Sequence, residues 1–386
     1  MALRDILRQS PEVLAGVNLT GCFLPGFNEF DYSALHQESR LTSFMLPQGL
    51  VAGFRAGRVC IRPLPYSQIA TAMVSDPAPD LAIFQVAPPD AQGRCSFGPC
   101  ADFAPLVWPR AARRLAFINR SLPVTRSGPS IPFAAIDVAI EADGPFITGN
   151  EVPANAEQAK IAQIVADLIP DGAAIQSGIG GIPGLVIARL TGRKNLVIRS
   201  GLVTDAYRLL AQAGALDPDA RHVTGAAHGS DDFMRWAARE LTFADATVTH
   251  GADVLAATPA LHAINSALEV DLFGQANVEW RGGRLASGLG GAPDFARGAR
   301  RSPGGRAILA MPSTAKGGTI SKIVARLDAP TVSIPRDDTD LIVTEHGVAN
   351  LRGKSLDDRA QALIAIAAPE HREALWASWV QMRGLF

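Results

Sequence analysis

Two carboxylates and a series of glycines within residues 264–306 are the groups in this chain best suited to chemistry. Apolar and acidic residues alternate over residues 268–272, where the acids are Glu269 and Asp271. Since side chains alternate across a strand, we predict a strand that carries both carboxylates on one face. Further glycines follow, including the Gly-Leu-Gly-Gly turn at 288–291. Because glycine has no side chain, such a turn allows a ligand to approach backbone N–H groups closely.

This arrangement suits a carboxylate nucleophile beside a turn that stabilises an oxyanion. Glu269 is the candidate nucleophile, and Gly290 and Gly291 are the candidate donors. Asp271 is either a partner that orients Glu269 or a hydrogen-bonded structural acid, because a buried acid needs partners. Glu345 is a rival nucleophile that also ends a strand before a glycine, but it has no Gly-rich turn close behind it. A surface strand with two acids and Gly-rich turns is the simpler alternative.

The sequence of this segment resembles that of the acetyl-CoA hydrolase/transferase family, the class I coenzyme A transferases. In that family an N-[ST]-A-[LI]-E-x-D-[LI]-x-G segment holds the catalytic glutamate, and residues 265–274 match it here. The family's Gly-x-Gly-Gly turn, followed by Asp-Phe, stands at 288–291 with Asp294 and Phe295. The resemblance is strongest from about residue 160 to the end.

The resemblance implies an acyl-CoA:carboxylate CoA-transferase for small acyl groups such as acetyl. The reaction would pass through an acyl-glutamyl anhydride and a glutamyl-CoA thioester on Glu269. Hydrolysis of acetyl-CoA by the same nucleophile is the alternative. Two further hypotheses are a non-catalytic CoA-binding protein of the same fold and a sugar-phosphate isomerase on the related fold. The segment around Glu269 argues against the isomerase.

A second glycine turn, Gly178 to Gly184, lies between a predicted strand at 173–177 and a predicted helix. The N–H groups at a helix N-terminus make such a turn a ready anion site. A dinucleotide fingerprint would need glycine at position 183, and Pro183 stands there, which disfavours NAD binding. The turn resembles the family's Q-x-G-I-G-x-I-P loop, placed near the active site.

The resemblance also implies a group of residues that contact coenzyme A, the co-substrate. A lysine before two glycines resembles the family position where a lysine meets the CoA phosphates, although a solvated surface lysine is the ordinary alternative. The residues implied to bind CoA are Gly178, Gly180, Gly181, Gly288, Lys316, Gly317 and Gly318.

The alternation of apolar strands with helical patterns predicts an α/β fold with two open, mainly parallel-sheet domains of the CoA-transferase type. A chain of 386 residues favours two domains. The polar, turn-rich stretch near residue 150 places the boundary between an N-terminal domain, 1–150, and a C-terminal domain, 151–386, that holds the glutamate. The family implies an additional first unit that this chain lacks.

Local patterns predict four further features of the chain. Asn155 and Gln158 are expected to cap a helix over 156–168. Residues 101–114 have a helical pattern, and residues 91–106 resemble a substrate-side hairpin loop of the family, with Asp90, Gly93 and Gly98 in corresponding positions. A final amphipathic helix at 370–382 is expected to pack across the domain junction.

Composition excludes several classes of function. The net charge is −1 with no basic run, which argues against nucleic-acid binding. No stretch reaches 18 uninterrupted apolar residues and the start lacks a signal peptide, so we expect no membrane span and a cytoplasmic location. The four cysteines are expected as free thiols, and neither they nor the histidines have metal-ligand spacing, so we expect no metal. A homodimer is implied by the family.

One departure from the family concerns the segment that follows the second glycine turn. Many members carry an acid there, whereas this chain has Ile-Arg-Ser-Gly-Leu at 198–202. Substrate choice is therefore expected to differ from that of the well-known members.

Overall fold

The computed structural model describes residues 2–145 and 155–385. The predicted boundary near residue 150 lies outside these ranges. Its first part contains four helices: α1 (Ala2–Gln9), α2 (Val51–Arg55), α3 (Tyr66–Ser75) and α4 (Ala104–Val107). The strands of this part are β1 (Asn18–Gly21), β2 (Arg40–Ser43), β3 (Val59–Ile61), β4 (Leu81–Val86), β5 (Arg94–Ser96), β6 (Arg113–Ile118), β7 (Ser130–Pro132) and β8 (Val138–Glu141).

These strands form two small parallel sheets, in the orders β1-β2-β3 and β4-β6-β8, and an antiparallel pair, β5-β7. The prediction of a helix over 101–114 was wrong, because helix covers only α4 and β6 begins at Arg113. Ala101 is instead bonded through its N–H to the carbonyl of Gly225, in the second part of the chain. Residues 99–102 therefore serve as a connection between the two parts.

The second part begins with a helix whose cap was predicted from the sequence. The side chain of Asn155 accepts a hydrogen bond from the N–H of Gln158, which returns the bond to complete a capping box. The helices are α5 (Ala156–Asp167), α6 (Gly181–Ala188), α7 (Asp205–Gln212), α8 (Asp231–Glu240), α9 (Ala246–Thr249), α10 (Ala252–Ala257), α11 (Ala292–Arg301), α12 (Leu356–Ala365) and α13 (Pro369–Arg383).

Strands of the second part alternate with these helices, as predicted for an α/β fold. They are β9 (Ala174–Ser177), β10 (Val197–Val203), β11 (Val223–Ala227), β12 (Thr242–Phe243), β13 (Leu261–Ser266), β14 (Glu269–Asp271), β15 (Ala276–Asn277), β16 (Trp280–Arg281), β17 (Arg284–Leu285), β18 (Arg306–Ala310), β19 (Thr314–Ala315), β20 (Ile320–Ser321), β21 (Ile323–Val324), β22 (Leu341–Thr344) and β23 (Gly347–Asn350).

Eight of these strands form one sheet in the order β12-β11-β10-β9-β13-β18-β22-β23, parallel except for β23. The chain moves outward from β9 to β12, returns to place β13 beside β9, and then moves outward the other way. The order therefore reverses between β9 and β13. In open α/β sheets, ligands bind outside the carboxyl ends of the strands at such a switch point.

Helices cover both faces of the eight-stranded sheet. One apolar core contains α5 to α8 residues such as Ile161, Val186 and Phe233, and the other contains α11 to α13 residues such as Phe295 and Trp379. Helix α13 packs its Trp379 against Phe273, with ring centroids 5.8 Å apart. The expectation that this helix crosses the domain junction was wrong, because its buried side chains join the core of the second part.

Candidate active site

The strand that carries Glu269 lies directly after the switch point. Strand β14 pairs antiparallel with β15 and parallel with β21. Glu269 is half-buried and accepts a hydrogen bond from the side-chain amide of Asn277 at 3.3 Å. Glu269 and Asp271 are two residues apart in this strand, which puts both side chains on one face as predicted.

Asp271 has the contacts of a structural acid. It is buried, and its carboxylate accepts hydrogen bonds from the N–H of Phe273 and from both the N–H and the side-chain amide of Gln275, at 2.8 to 3.1 Å. Burial raises the pKa of Asp271, although these hydrogen bonds oppose the shift. The carboxylate stabilises the tight turn through Gly274, whose φ of +88° favours glycine.

Lys322 is a charged neighbour of Glu269 that sequence analysis did not identify. Burial and the charge of Arg281 lower the pKa of Lys322, whereas the charges of Glu157, Glu269 and Glu345 raise it. The backbone carbonyl of Lys322 also accepts the N–H of Val270, which fixes the lysine beside β14. We call Glu157, Glu269, Lys322 and Glu345 the switch-point cluster.

The rival nucleophile Glu345 belongs to the same cluster but is held differently. Both of its carboxylate oxygens accept hydrogen bonds from Ser313, one from the backbone N–H at 2.9 Å and one from the hydroxyl. Burial opposes ionisation, but hydrogen bonds from Ser313, from the Glu345 backbone and from Glu157 together outweigh it and hold the pKa of Glu345 below its usual range. Because both carboxylate oxygens of Glu345 already accept hydrogen bonds, Glu345 is a poorer nucleophile than Glu269.

The first glycine turn of the predicted CoA site begins helix α6 at the carboxyl end of β9. A side chain at Gly178 would meet Asn265 at 2.6 Å, so this turn lies against the end of β13. Gly180 and Gly181 are exposed at the helix N-terminus. The turn and Glu269 therefore lie beyond the carboxyl ends of neighbouring strands, at the same edge of the sheet and on either side of the switch point.

Lys316 lies further from the sheet, at the tip of the β19–β20 hairpin. It is exposed and has a φ of +48°, and Gly317 and Gly318 after it also have positive φ. The carbonyl of Gly318 accepts a hydrogen bond from the imidazole of His371 at 2.9 Å, which attaches the hairpin to α13. The predicted contact of Lys316 with CoA stays a prediction.

The Gly-Leu-Gly-Gly turn contacts a different set of side chains from Glu269. The carbonyl of Gly290 accepts the N–H of Tyr66 at 3.0 Å, and a side chain at Gly288 would meet Met45 at 2.7 Å. A side chain at Gly291 would meet the Nε2 atom of His250 at 2.5 Å. The first part of the chain thus contributes to this turn, which sequence analysis treated as part of the second domain alone.

Asp294, after this turn, also binds the first part of the chain. Its two carboxylate oxygens accept hydrogen bonds from the N–H and the hydroxyl of Ser67 at the start of α3. Burial raises the pKa of Asp294 to about 6, against the effect of these bonds. Asp294, the acid of the Asp-Phe pair in the family segment, therefore joins α11 to α3.

His250 is the central side chain at the turn. Its ring lies between those of Tyr66 and Phe295, at centroid distances of 4.6 and 4.8 Å. Its Nδ1 atom is 2.9 Å from the hydroxyl of Thr249. Burial lowers the pKa of His250 to about 3, so the imidazole is neutral at physiological pH. No local pattern marks this histidine, because its partners come from distant segments.

Gly201 lies on the other side of His250. A side chain there would meet the imidazole at 2.6 Å, so only a residue without a side chain fits the present arrangement. The space that a side chain at Gly201 would take is therefore occupied by His250.

The remaining sequence predictions concern the cysteines, the metal and the membrane. All four cysteines are free thiols, as predicted. Within residues 2–145 and 155–385, no group of three or more His, Cys, Asp or Glu side chains is arranged to hold a metal ion. No helix in those ranges is long and apolar enough to cross a bilayer.

In sequence, the chain matches a known family domain and individual proteins of known activity. Residues 229–379 match the acetyl-CoA hydrolase/transferase C-terminal domain. A 4-hydroxybutyrate coenzyme A transferase of Clostridium kluyveri is 36% identical over 309 residues, which cover 77% of this chain and 71% of that protein. A succinyl-CoA:acetate/propanoyl-CoA:succinate CoA transferase of Fasciola hepatica is 36% identical over 308 residues, 77% of this chain and 64% of that protein.

Solved structures match over almost the whole chain. RipA from Yersinia pestis has a TM-score of 0.87 and 27% identity, and the match covers 98% of this chain and 96% of RipA. A 4-hydroxybutyrate CoA-transferase from Porphyromonas gingivalis has a TM-score of 0.80 and 29% identity, covering 99% of this chain and 100% of that chain. The similarity therefore includes the first part of the chain, beyond the region matched by the family domain.

Proposed function

Because the chain belongs to the acetyl-CoA hydrolase/transferase family, we propose that it transfers coenzyme A from a small acyl-CoA to a carboxylate. Members of this family are enzymes, and the relatives described above are named as CoA transferases. Hydrolysis of the acyl-CoA is the second candidate. It is favoured by an acetyl-CoA hydrolase of Saccharomyces cerevisiae, which is 31% identical over 241 residues.

Glu269 is our proposed nucleophile, and its place at the switch point carries the proposal. The carboxylate would attack the thioester carbonyl carbon, form an acyl-glutamyl anhydride and release the CoA thiolate. In transfer, the thiolate attacks the glutamyl carbonyl and frees the first carboxylate, which leaves a glutamyl-CoA thioester for the acceptor. In hydrolysis, water takes the acyl group instead.

The charges around Glu269 support this role. Lys322 supplies a positive charge beside three carboxylates, and the amide of Asn277 donates to one oxygen of Glu269. Glu345 is occupied by Ser313, which leaves Glu269 as the less constrained acid of the switch-point cluster. Attack on a thioester requires a carboxylate that is ionised and oriented but still has a free oxygen to form the new bond.

Backbone and lysine contacts complete the proposed site. The N–H groups of Gly290 and Gly291 would stabilise the oxyanion. Each such donor typically lowers the activation free energy by ~3–4 kcal/mol. The glycines at 178, 180, 181 and 288, with Lys316, Gly317 and Gly318, would bind CoA. Here the exposed N-terminus of α6 and the charge of Lys316 suit its phosphates. We propose no metal in this reaction.

We also propose the remaining features that the family implies. The chain would fold as an N-terminal domain, 1–150, and a C-terminal domain, 151–386, that holds Glu269. It would act as a homodimer in the cytoplasm, on acyl-CoA and a small carboxylate, without a nucleic-acid or membrane partner.

The test is to incubate the purified protein with acetyl-CoA and to measure free CoA and new acyl-CoA separately. Propionate, succinate and 4-hydroxybutyrate are each supplied as acceptor. Transfer predicts a new acyl-CoA with at least one acceptor, whereas hydrolysis predicts free CoA at a rate independent of the acceptor. If neither product forms with any acyl-CoA tried, including butyryl-CoA and succinyl-CoA, the proposed function is wrong.

A further inference from the structure

Lys322 and Glu269 are neighbours on one face of the small sheet β15-β14-β21. Val270 of β14 is in parallel register with Ile323 of β21, and both side chains are fully buried. Because side chains alternate across a strand, the residues just before these two, Glu269 and Lys322, point together toward the opposite face. Both are half-buried, so solvent reaches them. A cation and the proposed nucleophile thus lie side by side at an accessible face of this sheet.

Backbone hydrogen bonds fix Lys322 in this position. Its carbonyl accepts the N–H of Val270 at 2.9 Å, and its own N–H donates to the carbonyl of Ser313 at 2.8 Å. Ser313 in turn binds the carboxylate of Glu345 through its backbone N–H and its hydroxyl. The backbone of Lys322 therefore connects the strand of Glu269 with the loop that holds Glu345, and its side chain starts between the two acids.

The ammonium of Lys322 is not paired with another side chain. Within residues 2–145 and 155–385, it forms no hydrogen bond and no salt bridge within 4.0 Å, although the charges of three carboxylates act on it. The acids other than Glu269 have partners of their own. Glu345 has the imidazole of His346 at 3.3 Å in addition to its bonds from the loop, and Glu157 shares a hydrogen bond with Glu345. The ammonium carries three N–H donors, which are therefore available to a ligand.

The proposed transfer needs a cation at this place. The acceptor is an anion, and it must approach the glutamyl-CoA carbonyl on Glu269 while the ionised Glu345 lies nearby. Like charges repel at such distances, and more strongly in a partly buried site than in water. Water and other uncharged nucleophiles experience no such repulsion. A cation beside Glu269 therefore favours attack by a carboxylate over attack by water.

We propose that the ammonium of Lys322 binds the carboxylate of the acceptor and thereby directs the enzyme toward transfer rather than hydrolysis. This inference rests on the proposed function and deepens it. An acceptor oxygen bonds to the glutamyl carbonyl carbon while the carbon–sulfur bond breaks, and the CoA thiolate then attacks the acyl carbonyl. Glu269 leaves as the free carboxylate and a new acyl-CoA forms, so atoms and charge balance without a further reactant. Lys322 neither gives nor takes a proton in these steps.

The experiment compares an anionic with an uncharged nucleophile. Acetyl-CoA is supplied at pH 8 with either propionate or hydroxylamine, and propionyl-CoA and acetohydroxamate are measured against blanks without protein. Hydroxylamine is uncharged at this pH and takes the acetyl group from the acyl-glutamyl anhydride before any carboxylate leaves. Its reaction therefore measures attack by Glu269 without the proposed contact. The variants are Lys322→Met, the conservative Lys322→Arg, and Lys354→Met as the control at an exposed position.

We expect Lys322→Met to act on the acceptor alone. Its KM for propionate should rise about 10- to 100-fold, the usual effect of losing a hydrogen bond between charged groups. Formation of acetohydroxamate should change less than about threefold, because the attack by Glu269 is preserved. Lys322→Arg keeps the charge and should restore the KM for propionate to within about fivefold of the natural value. Lys354→Met should leave both reactions unchanged.

The remaining outcomes identify which claim fails. A natural KM for propionate in Lys322→Met refutes the inference. Equal losses with propionate and hydroxylamine also refute it, because Lys322 would then act on Glu269 or on the fold. Thermal unfolding detects loss of the fold, and if Lys322→Met is unfolded, the comparison of Lys322→Arg with Lys322→Gln takes its place.

The natural chain separates this inference from the proposed function. If it forms acetohydroxamate but no new acyl-CoA with propionate, succinate or 4-hydroxybutyrate, only the inference is refuted. If it forms neither product with any acyl-CoA, the proposed function is refuted.

Discussion

The switch-point cluster treats charge differently from a second group, Cys22, Tyr66, Cys100, Asp102 and His250, which we call the Asp102 group. In the cluster, Glu269 lies beside Lys322, and Glu345 is held ionised by Ser313. In the Asp102 group, the thiols, Tyr66 and His250 are all neutral near pH 7, and burial alone raises the pKa of Asp102 to about 7. Paired charge favours a permanently ionised nucleophile, whereas a neutral setting favours a group that exchanges protons.

The two groups also differ in where they come from in the sequence. The switch-point cluster is built from residues 157–345 of the second part, whereas the Asp102 group includes Cys22, Tyr66, Cys100 and Asp102 of the first. The matched family domain, 229–379, includes Glu269 and the glycine turn but not Asp102. Substitutions can therefore separate the two groups.

The largest effect is expected from Glu269→Gln. Removing the negative charge should lower transfer of CoA to carboxylates about 1000-fold or more, because an amide cannot form the anhydride. The transfer rate is measured as steady-state formation of the new acyl-CoA. The matched control is Glu373→Gln, at an exposed position of α13. If Glu269→Gln transfers CoA at the natural rate, the switch-point cluster is not the site of transfer.

Gly291→Ala should have the next largest effect. Its new methyl group would lie 2.5 Å from the imidazole of His250, so the turn or the ring must move. We expect turnover to fall about 100-fold, the usual cost of losing one oxyanion donor, with a smaller change in KM. Gly192→Ala, at an exposed position outside both glycine turns, is the control, because its methyl group meets no atom within 4 Å. Equal rates for the two variants would contradict a role for the turn.

Asp102→Asn should make the protein more stable above neutral pH. Burial raises the pKa of Asp102 to about 7, so the native state binds this proton more tightly than the unfolded state does. The natural chain therefore loses stability as pH rises from about 4 through about 7, and the variant does not. We expect the variant to gain about 2–4 kcal/mol in the free energy of unfolding at pH 8.

Urea unfolding at pH 8 and pH 4 measures this gain. The difference between variant and natural chain should be present at pH 8 and close to zero at pH 4, where the carboxyl is protonated in both states. A variant less stable at pH 8 would mean that Asp102 has a stabilising partner, and the contrast with the switch-point cluster would fail.

Lys316→Ala should have the smallest effect. An exposed lysine that meets a phosphate contributes up to about 1 kcal/mol, so we expect KM for acyl-CoA to rise about fivefold with kcat unchanged. The increase should shrink at high salt, because salt screens an exposed charge pair. Lys354→Ala, also exposed, is the control. Identical KM values for both variants would remove Lys316 from the CoA site.

The sequence predicted the fold of the second part better than its site. The cap and the helical pattern located α5 closely, because a helix start of this kind is specified by local residues. The prediction of a helix at 101–114 was wrong because residues 99–102 form hydrogen bonds with β11, a strand more than 120 residues away in sequence. Periodicity and capping residues are local, so they do not indicate a hydrogen-bond partner that is distant in sequence.

The site shows the same division between local and distant information. The strand with Glu269 and Asp271 was predictable because alternation is local. His250 and Asp102 were not, because their environment depends on Gly201, Gly225 and Tyr66 arriving from separate segments. Burial and the absence of a hydrogen-bond partner are properties of the folded chain, and no spacing of residue types encodes them.

The most direct test of the central claim is to trap the acyl enzyme. The protein is mixed with acetyl-CoA, reduced with borohydride or treated with hydroxylamine, digested and mapped by mass spectrometry. We predict modification of Glu269 that depends on acetyl-CoA and is absent in Glu269→Gln. Turnover without modification of Glu269, or modification of another acid in its place, would contradict the account.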